Sequence, residues 1–241
     1  MAQPLVTLTP REKRALLSRI ELLAGGSDEA LDTLATAAEL HEVGGGEVVV
    51  RQGTEADAMY VLVHGVAEVR LDGPNADEGT VLGVLETGAL FGELAMLTDE
   101  LRTATVRAIE PLIILAIPRR SLLEVLQHHP DLAQEVWTTV ARRRLESLLA
   151  ASHRFAAQPD LARRLLALAI RPAFVPAHTG LSVQATGSLF IVAGQVELQG
   201  EAGWQTVRGP SILPALGPVR CEARTDAVIA TGPPVGGLSP G

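Results

Sequence analysis

The sequence has one cysteine, one lysine and few aromatic residues, and each shortage limits what the protein can be. The single cysteine, Cys221, cannot form an internal disulfide framework. Lys13 is the one lysine, and the net charge of −8 removes the electrostatic attraction that proteins dedicated to holding DNA usually have. Aromatic residues make up 3 % of the chain, so the core must be built from Leu, Val, Ile and Ala.

Long apolar runs are also missing. No 18-residue apolar segment exists, which predicts no membrane span. Charged residues occupy positions 11–14, where the apolar core of a signal peptide would lie. Together with the single cysteine, these features predict a cytoplasmic protein. The 241 residues, 47 % of them hydrophobic, have room for one large domain or two small ones.

Signatures of catalysis and metal binding are absent. The glycines at 44–46 are not followed by Gly-Lys-Ser/Thr, so they form a turn and not a P-loop. The one G-x-S-x-G match, at residues 237–241, does not stand between a strand and a helix as a nucleophile elbow requires, and no H-E-x-x-H motif occurs. The adjacent His128 and His129 diverge at a helix end, with no further ligand at useful spacing. The sequence therefore predicts no enzyme, no catalytic residues, no metal site and no cofactor.

The apolar pattern predicts helices on both sides of a β-rich region. Two helices are expected in the first forty residues, the second capped by Ser27 and reaching about Glu39. Short alternating segments with glycine-rich turns over residues 43–118 predict an antiparallel barrel or jelly roll. Helical spacing then returns over residues 119–127 and 131–151.

The run from Phe91 to Ala108 carries the most specific chemistry. It places Glu93 nine residues before Arg102, with small residues around them. A carboxylate accepts hydrogen bonds from a sugar hydroxyl, and the planar guanidinium matches two phosphate oxygens. If residues 94–97 form a helical turn, its free N–H groups point at the same phosphate. The pattern indicates a ribose that carries a cyclic phosphodiester.

The same run, FGELAMLTDELRTATVRA, resembles the phosphate-binding cassette of cyclic nucleotide-binding domains. Such domains occur in catabolite-activator-type regulators, in protein kinase A and G regulatory regions and in gated channels. The resemblance implies that Glu93 holds the ribose 2′-hydroxyl and that Arg102 holds the exocyclic phosphate oxygens. Leu101 stands where many members have proline, which loosens the turn without removing a ligand contact. The full set that the resemblance implies in this run is Phe91, Gly92, Glu93, Leu94, Ala95, Arg102, Thr103 and Ala104.

Two residues bear on which base is bound. The Thr103 hydroxyl could reach N2 of the guanine in syn cyclic GMP, but channels that prefer cyclic AMP carry the same residue. Both nucleotides therefore stay open, with cyclic AMP favoured. Ser147 falls on the long helix, where catabolite-activator-type proteins place a hydroxyl that contacts the base. It joins the predicted ligand-binding set, and a solvated helix position is the alternative.

The residues after 151 contain no helix-turn-helix pattern and no basic recognition helix. Instead, SLFIVAGQVEL echoes AMYVLVHGVAEV, with a central glycine at 194 and at 65, which indicates a second, shortened copy without the cassette. The predicted fold is mainly β with flanking helices. An antiparallel jelly-roll-like cyclic nucleotide-binding domain spans 1–151, a degenerate β-roll spans 152–231, and a disordered tail spans 232–241.

The resemblance and the missing output domain together predict a regulatory or sensor protein. It would change conformation on binding cyclic AMP or cyclic GMP and signal through a protein partner or its own oligomer, without binding DNA. The resemblance implies that the helices at 119–127 and 131–151 are the B and C helices of the family, and that the second of them closes over the base and forms a dimer seam. Two alternatives stay open: a catabolite-activator-type transcription regulator lacking the usual DNA-binding domain, and a structural scaffold that binds no ligand.

Overall fold

The polypeptide forms two units in the computed structural model, Met1–Glu135 and Val136–Gly241. The structure describes residues 7–73, 79–98, 100–151, 170, 172–200, 203–225 and 227–232. The division between the units falls inside the long helix and differs from the boundary predicted after residue 151. One reason is that Trp137 on this helix stacks on Phe174 of the second unit, with ring centroids 5.1 Å apart.

Two short helices precede the first strand. They are α1 (Pro10–Leu17) and α2 (Asp28–Ala37), with a 3₁₀ turn at Glu21–Leu23 between them. Thr9 and Glu12 form a reciprocal capping box at the start of α1. The side chain of Ser27 accepts a hydrogen bond from the N–H of Ala30, as its predicted capping role requires. Helix α2 ends two residues before the predicted Glu39, because Ala38 is already extended.

Eight strands and a short helix follow in the first unit. They are β1 (Glu39–Val43), β2 (Val48–Val50), β3 (Ala58–His64), β4 (Ala67–Leu71), β5 (Thr80–Leu85), β6 (Leu90–Phe91), α3 (Glu93–Thr98), β7 (Thr105–Ala108) and β8 (Leu112–Pro118). They pair into two four-stranded antiparallel sheets, ordered β1-β8-β3-β6 and β2-β7-β4-β5. This architecture confirms the predicted β-roll with flanking helices.

The core of the first unit is built from inward-facing residues of both sheets. Its buried members are aliphatic apart from one phenylalanine, as the scarcity of aromatic residues predicts: Val50, Leu62, Ala67, Phe91, Val106, Ala108, Leu112 and Ile114. Fully burying a leucine or valine side chain stabilises a fold by about 1.5–3 kcal/mol. Removal of these side chains from water holds β6 and β7 in place, and the predicted binding cassette lies between those two strands.

Helices α4 (Arg119–His128) and α5 (Pro130–Ala151) follow the last strand of the roll. Apolar positions along α5 are buried within the chain: Leu132, Val136, Trp137, Val140, Leu145 and Leu149. The role of this helix as a dimer seam stays a prediction. Among the helices that the structure describes, none has both the length and the apolarity needed to cross a membrane.

The strands of the second unit form one antiparallel sheet. They are β9 (Ala173–Val175), β10 (Gly180–Ala193), β11 (Gln195–Gly200), β12 (Gly203–Arg208), β13 (Ser211–Ala223) and β14 (Ala227–Gly232), in the order β12-β11-β13-β10-β14-β9. Leu189, Ile191, Val196 and Ile229 are buried in its core. The predicted disordered tail lies, apart from residue 232, outside the described residues, as does the stretch 152–169.

A turn and its hydrogen bonds recur in both units. Gly65 joins β3 to β4 with φ +98°, and Gly194 joins β10 to β11 with φ +81°. Two residues after each glycine, the strand pairs with an alanine, Ala108 in the first unit and Ala223 in the second. The residue after each alanine donates its N–H to the residue after each glycine, at 2.9 and 2.8 Å. The two glycines are the central residues that the predicted second copy shares with the first.

The two units differ where the first carries α3. In the second unit β10 and β13 pair without interruption from Gly180 opposite Glu222 to Ile191 opposite Ser211. No helical turn interrupts the described residues 203–225. The second unit therefore lacks, within these described residues, the helix start whose open N–H groups would form a phosphate cradle.

Candidate ligand-binding site

A cavity of about 200 Å³ opens beside the segment between β6 and β7. Every predicted ligand-binding residue except Ser147 lines it, together with four aliphatic residues. The lining residues are Val50, Val69, Leu90, Phe91, Gly92, Glu93, Leu94, Ala95, Arg102, Thr103, Ala104 and Val106. The structure therefore brings the cassette residues together around one space, and their contact with a ligand stays a prediction.

Gly92 makes the sharp change from strand β6 to helix α3. Its φ of +81° lies in the left-handed region, which costs a residue with a side chain about 1–2 kcal/mol. A Cβ at this position would also lie 2.6 Å from Nη1 of Arg102. Glycine thus satisfies both the turn and the close approach of the arginine. Glu93 follows as the first residue of α3, and it is 6 % exposed.

The Arg102 guanidinium is held from two sides. Nη1 donates to the carbonyl oxygen of Gly92 at 2.6 Å, and Nη2 donates to the carbonyl oxygen of Ala58 at 2.7 Å. Nη2 also lies 3.6 Å from Oδ1 of Asp57. A guanidinium has five N–H donors, so these contacts hold its edge without using its full donor set.

The backbone of Arg102 is fixed as well. Its N–H donates to the carbonyl of Thr54 at 2.8 Å, and its carbonyl accepts from the N–H of Gly53 at the same distance. These two bonds tie the end of the cassette to the turn after β2. Leu101 stands where many family members have proline, and the backbone of the next residue, Arg102, anchors this loop through the two bonds.

The cavity places a buried cation and a buried carboxylate in largely apolar surroundings. Burial lowers the pKa of Arg102, while Tyr60, Asp57 and Glu93 act in the opposite direction. The guanidinium stays protonated at neutral pH, because arginine side chains are not deprotonated in proteins. A charged donor in such surroundings binds an anion more strongly than it would in water.

A ring of hydrogen bonds supports the end of the cassette. The Thr105 hydroxyl accepts from the N–H of Gln52 at 2.9 Å and donates to Oδ2 of Asp72 at 2.7 Å. The N–H of Asp72 in turn donates to Oε1 of Gln52 at 2.7 Å. Thr105 is 2 % exposed and directly follows Ala104, a lining residue. The ring therefore ties the ends of β2 and β4 to the start of β7.

Thr105→Val is expected to lower the free energy of unfolding by about 1–3 kcal/mol, because it leaves buried polar groups without their partner. Chemical unfolding followed by far-UV circular dichroism measures this change. Thr103→Val is the matched control, since Thr103 is exposed and should change stability by less than about 0.5 kcal/mol. Equal losses in the two variants would contradict a structural role for the ring.

Of the two residues predicted to contact the base, only Thr103 has a described side chain. Thr103 is exposed and lines the cavity. Ser147 lies on α5, but its side chain is outside the described part of the chain. A contact between Ser147 and a ligand therefore stays a prediction.

Sequence reasoning missed the residues that hold Arg102. Asp57, Ala58 and Tyr60 lie at or just before β3, more than thirty residues before the cassette. The Tyr60 ring stacks on Phe91 with centroids 5.3 Å apart, and Arg102 Cζ lies 5.7 Å from its centroid. Tyr60 is the only tyrosine in the chain, and that was the one signal available. Among the described residues, no group of three His, Cys, Asp or Glu is placed to hold a metal ion.

Residues 40–129 match the family model of the cyclic nucleotide-binding domain. This part of the chain belongs to that family. The domain's similarity extends to Lysophospholipase nte1 of Aspergillus niger, which is 31 % identical over 136 residues, or 56 % of this chain and 9 % of that protein. Because the chain spans less than a tenth of that relative, the relative's catalytic activity does not follow for this chain.

Two solved structures resemble the chain. The sensor domain of the transcriptional regulator DNR from Pseudomonas aeruginosa is 25 % identical, with a TM-score of 0.53, over 60 % of this chain and 95 % of that domain. The cAMP-bound PfPKA-R is 17 % identical, with a TM-score of 0.50, over 93 % of this chain and 82 % of that chain. The second likeness concerns the fold alone. Both are consistent with the β-roll described above.

Proposed function

We propose that the protein is a cyclic nucleotide sensor that binds cyclic AMP or cyclic GMP in the cavity beside α3. The observation that carries the proposal is the pairing of a buried carboxylate, Glu93, with a buried guanidinium, Arg102, around one cavity of a cyclic nucleotide-binding domain. A ribose cyclic phosphate supplies both a hydroxyl donor and an anionic acceptor. A carboxylate can accept from that hydroxyl, and a guanidinium can donate to that phosphate.

Each group has a defined task in the proposed complex. Glu93 accepts a hydrogen bond from the ribose 2′-hydroxyl, and Arg102 donates to the exocyclic phosphate oxygens. Backbone amides at Gly92, Leu94, Ala95 and Ala104 complete the cradle. The aliphatic lining then contacts the apolar edge of the sugar. Thr103, exposed at the cavity, is the residue that faces the base.

Ligand binding changes the conformation of the protein, and this change is transmitted to a protein partner or alters the protein's own oligomer. Ligand contacts draw the cassette together, and α4 and α5 move towards the ligand. Cyclic nucleotide can shift this equilibrium only by its difference in affinity for the two states. The second unit, which we interpret as a shortened copy of the roll without a cassette, serves as scaffold or interface. The recurring turns at Gly65 and Gly194 support this interpretation.

Cyclic AMP is the favoured nucleotide, and the protein is placed in the cytoplasm. Thr103, whose hydroxyl could reach a guanine, shifts this choice towards cyclic GMP only slightly. The single cysteine, Cys221, is buried as a free thiol, which fits a reducing cytoplasm and equally fits the absence of a redox role. No catalytic activity is part of the proposal.

Calorimetric titration of the full chain with cyclic AMP and with cyclic GMP tests the proposal. We expect binding with a Kd of roughly 1–100 µM, equivalent to about 5–8 kcal/mol, for at least one nucleotide. Linear AMP is the control ligand, because it has the same base and an open phosphate. A folded protein, free of co-purified nucleotide, that binds neither cyclic nucleotide would overturn the sensor proposal and leave the scaffold alternative.

A second candidate is a catabolite-activator-type transcription regulator that lost or replaced the usual DNA-binding domain. The likeness to the sensor domain of DNR favours it. The described residues 172–232 are strands and their connections, without a recognition helix. A gel-shift assay with random and genomic DNA fragments, with and without cyclic AMP, separates the candidates. A shift that depends on cyclic AMP would favour the regulator.

A further inference from the structure

We infer that Tyr60 is a positioning residue that sets the plane of the Arg102 guanidinium for the phosphate of a bound nucleotide. The inference rests on the proposed function, because it concerns how the same cavity selects its ligand. It adds a residue from β3 to a site that the sequence places between β6 and β7. No feature of the cassette run itself points to this residue.

The geometry forms a layered stack. The Phe91 and Tyr60 rings are stacked with centroids 5.3 Å apart and an interplanar angle of 24°. Arg102 Cζ lies 5.7 Å from the Tyr60 centroid, within the range of a cation–π contact. The β3–β6 pairing places Tyr60 directly opposite Phe91 in the ladder, so the sheet itself fixes the lower layers. Of the three residues, Arg102 and Phe91 line the cavity, and Tyr60 contacts both of them.

The aromatic stack limits the tilt of the Arg102 guanidinium plane, which the hydrogen bonds alone do not fix. The carbonyls of Gly92 and Ala58 accept from the N–H groups at the guanidinium edge. Edge contacts of this kind allow the plane to tilt about the line that joins the two acceptors. A ring beneath the cation limits that tilt. A bidentate contact with a phosphate requires a defined plane, so Tyr60 contributes to phosphate binding without touching the ligand.

The ring is a neutral partner for the cation. Burial raises the pKa of the Tyr60 phenol, and Asp57 acts in the same direction. The phenol therefore stays protonated at neutral pH, and the aromatic face supplies the attraction. Phenylalanine has the ring but no hydroxyl, so Tyr60→Phe should lose little affinity for cyclic AMP.

The test compares ligands that differ by the phosphate. Cyclic AMP and adenosine are titrated against the full-length wild type, Tyr60→Leu and Tyr60→Phe. Tyr60→Leu is expected to weaken cyclic AMP binding by about 3- to 30-fold, the range of a partly desolvated cation–π contact. Its affinity for adenosine should change by less than about twofold, because adenosine has no phosphate for Arg102 to hold. Tyr60→Phe should bind both ligands within about twofold of the wild type.

A double-variant cycle isolates the pair. Tyr60→Leu is repeated in an Arg102→Gln background, where we expect its effect on cyclic AMP to fall to less than about twofold, because neighbours in contact lose their coupling when either is removed. Equal losses for cyclic AMP and adenosine would overturn the inference, since they would indicate a general change in cavity shape. An undiminished effect in the Arg102→Gln background would also overturn it. Tyr60→Met, which keeps bulk without a ring, replaces Tyr60→Leu if the leucine variant does not fold.

The outcomes separate the inference from the proposed function. A wild type that binds neither cyclic AMP nor cyclic GMP overturns the sensor proposal and the Tyr60 role with it. A wild type that binds cyclic AMP, with Tyr60→Leu binding equally well, overturns the Tyr60 role alone. Should the wild type prefer cyclic GMP, the same comparison is made with cyclic GMP and guanosine.

Discussion

Arg102→Ala is expected to reduce the affinity for cyclic AMP by about 30- to 1,000-fold, the equivalent of roughly 2–4 kcal/mol for removing one partner of a buried charge pair. The side chain is 3 % exposed and supplies the cation at the cavity. Its loss leaves the ligand phosphate without a charged donor in surroundings where water cannot replace it fully. Calorimetric titration of the variant beside the wild type measures the change.

Two further variants show whether the effect belongs to this guanidinium. Arg102→Lys keeps the charge but cannot donate to the carbonyls of Gly92 and Ala58 in the same fork, so we expect an intermediate affinity. Arg120→Ala removes an exposed arginine on α4 and should leave the affinity unchanged. A loss of comparable size in Arg120→Ala would mean that net charge, and not the position of Arg102, controls binding.

The cassette could be predicted from the sequence because its chemistry is local. Glu93 and Arg102 lie in one uninterrupted run, and the glycine between strand and helix marks the turn. Residue types and their spacing can both be read from such a run. The fold then has to place the run on one side of the cavity. The cavity lining, from Phe91 to Ala95 and from Arg102 to Ala104, follows that expectation.

The support for the cassette could not be predicted, because it depends on strand pairing. Tyr60 reaches Arg102 through the β3–β6 ladder, and Thr105 reaches Asp72 across β4 and β7. An alternating apolar pattern shows that a strand has a buried face, but it does not show which strand lies beside it. The partners of Arg102 at Asp57 and Ala58 were missed for the same reason.

The long helix illustrates a different limit. Its apolar spacing predicted a packed face, and the described apolar positions are buried. Periodicity does not reveal what covers the face, and the contact of Trp137 with Phe174 joins residues on either side of the predicted boundary after 151. The second helix ended early for a still more local reason, since Ala38 adopts an extended conformation before β1.

Gly92→Ala is expected to weaken cyclic AMP binding by at least about tenfold, equivalent to about 1.4 kcal/mol. The new Cβ would lie 2.6 Å from Nη1 of Arg102, so the guanidinium must move away from the Gly92 carbonyl that fixes it. The backbone also has φ +81°, which should lower the free energy of unfolding by about 1–2 kcal/mol. Titration and chemical unfolding measure the two effects separately.

Gly46→Ala separates backbone strain from displacement of the arginine. Gly46 has a nearly equal φ of +86°, and a Cβ there meets nothing within 4 Å. Both alanine variants should therefore lose similar stability, while Gly92→Ala alone loses affinity. If Gly46→Ala weakened binding as much, strain transmitted through the roll would explain both results. If neither variant changed affinity, the position of the Arg102 guanidinium seen in the structure would not be the one used to bind the phosphate.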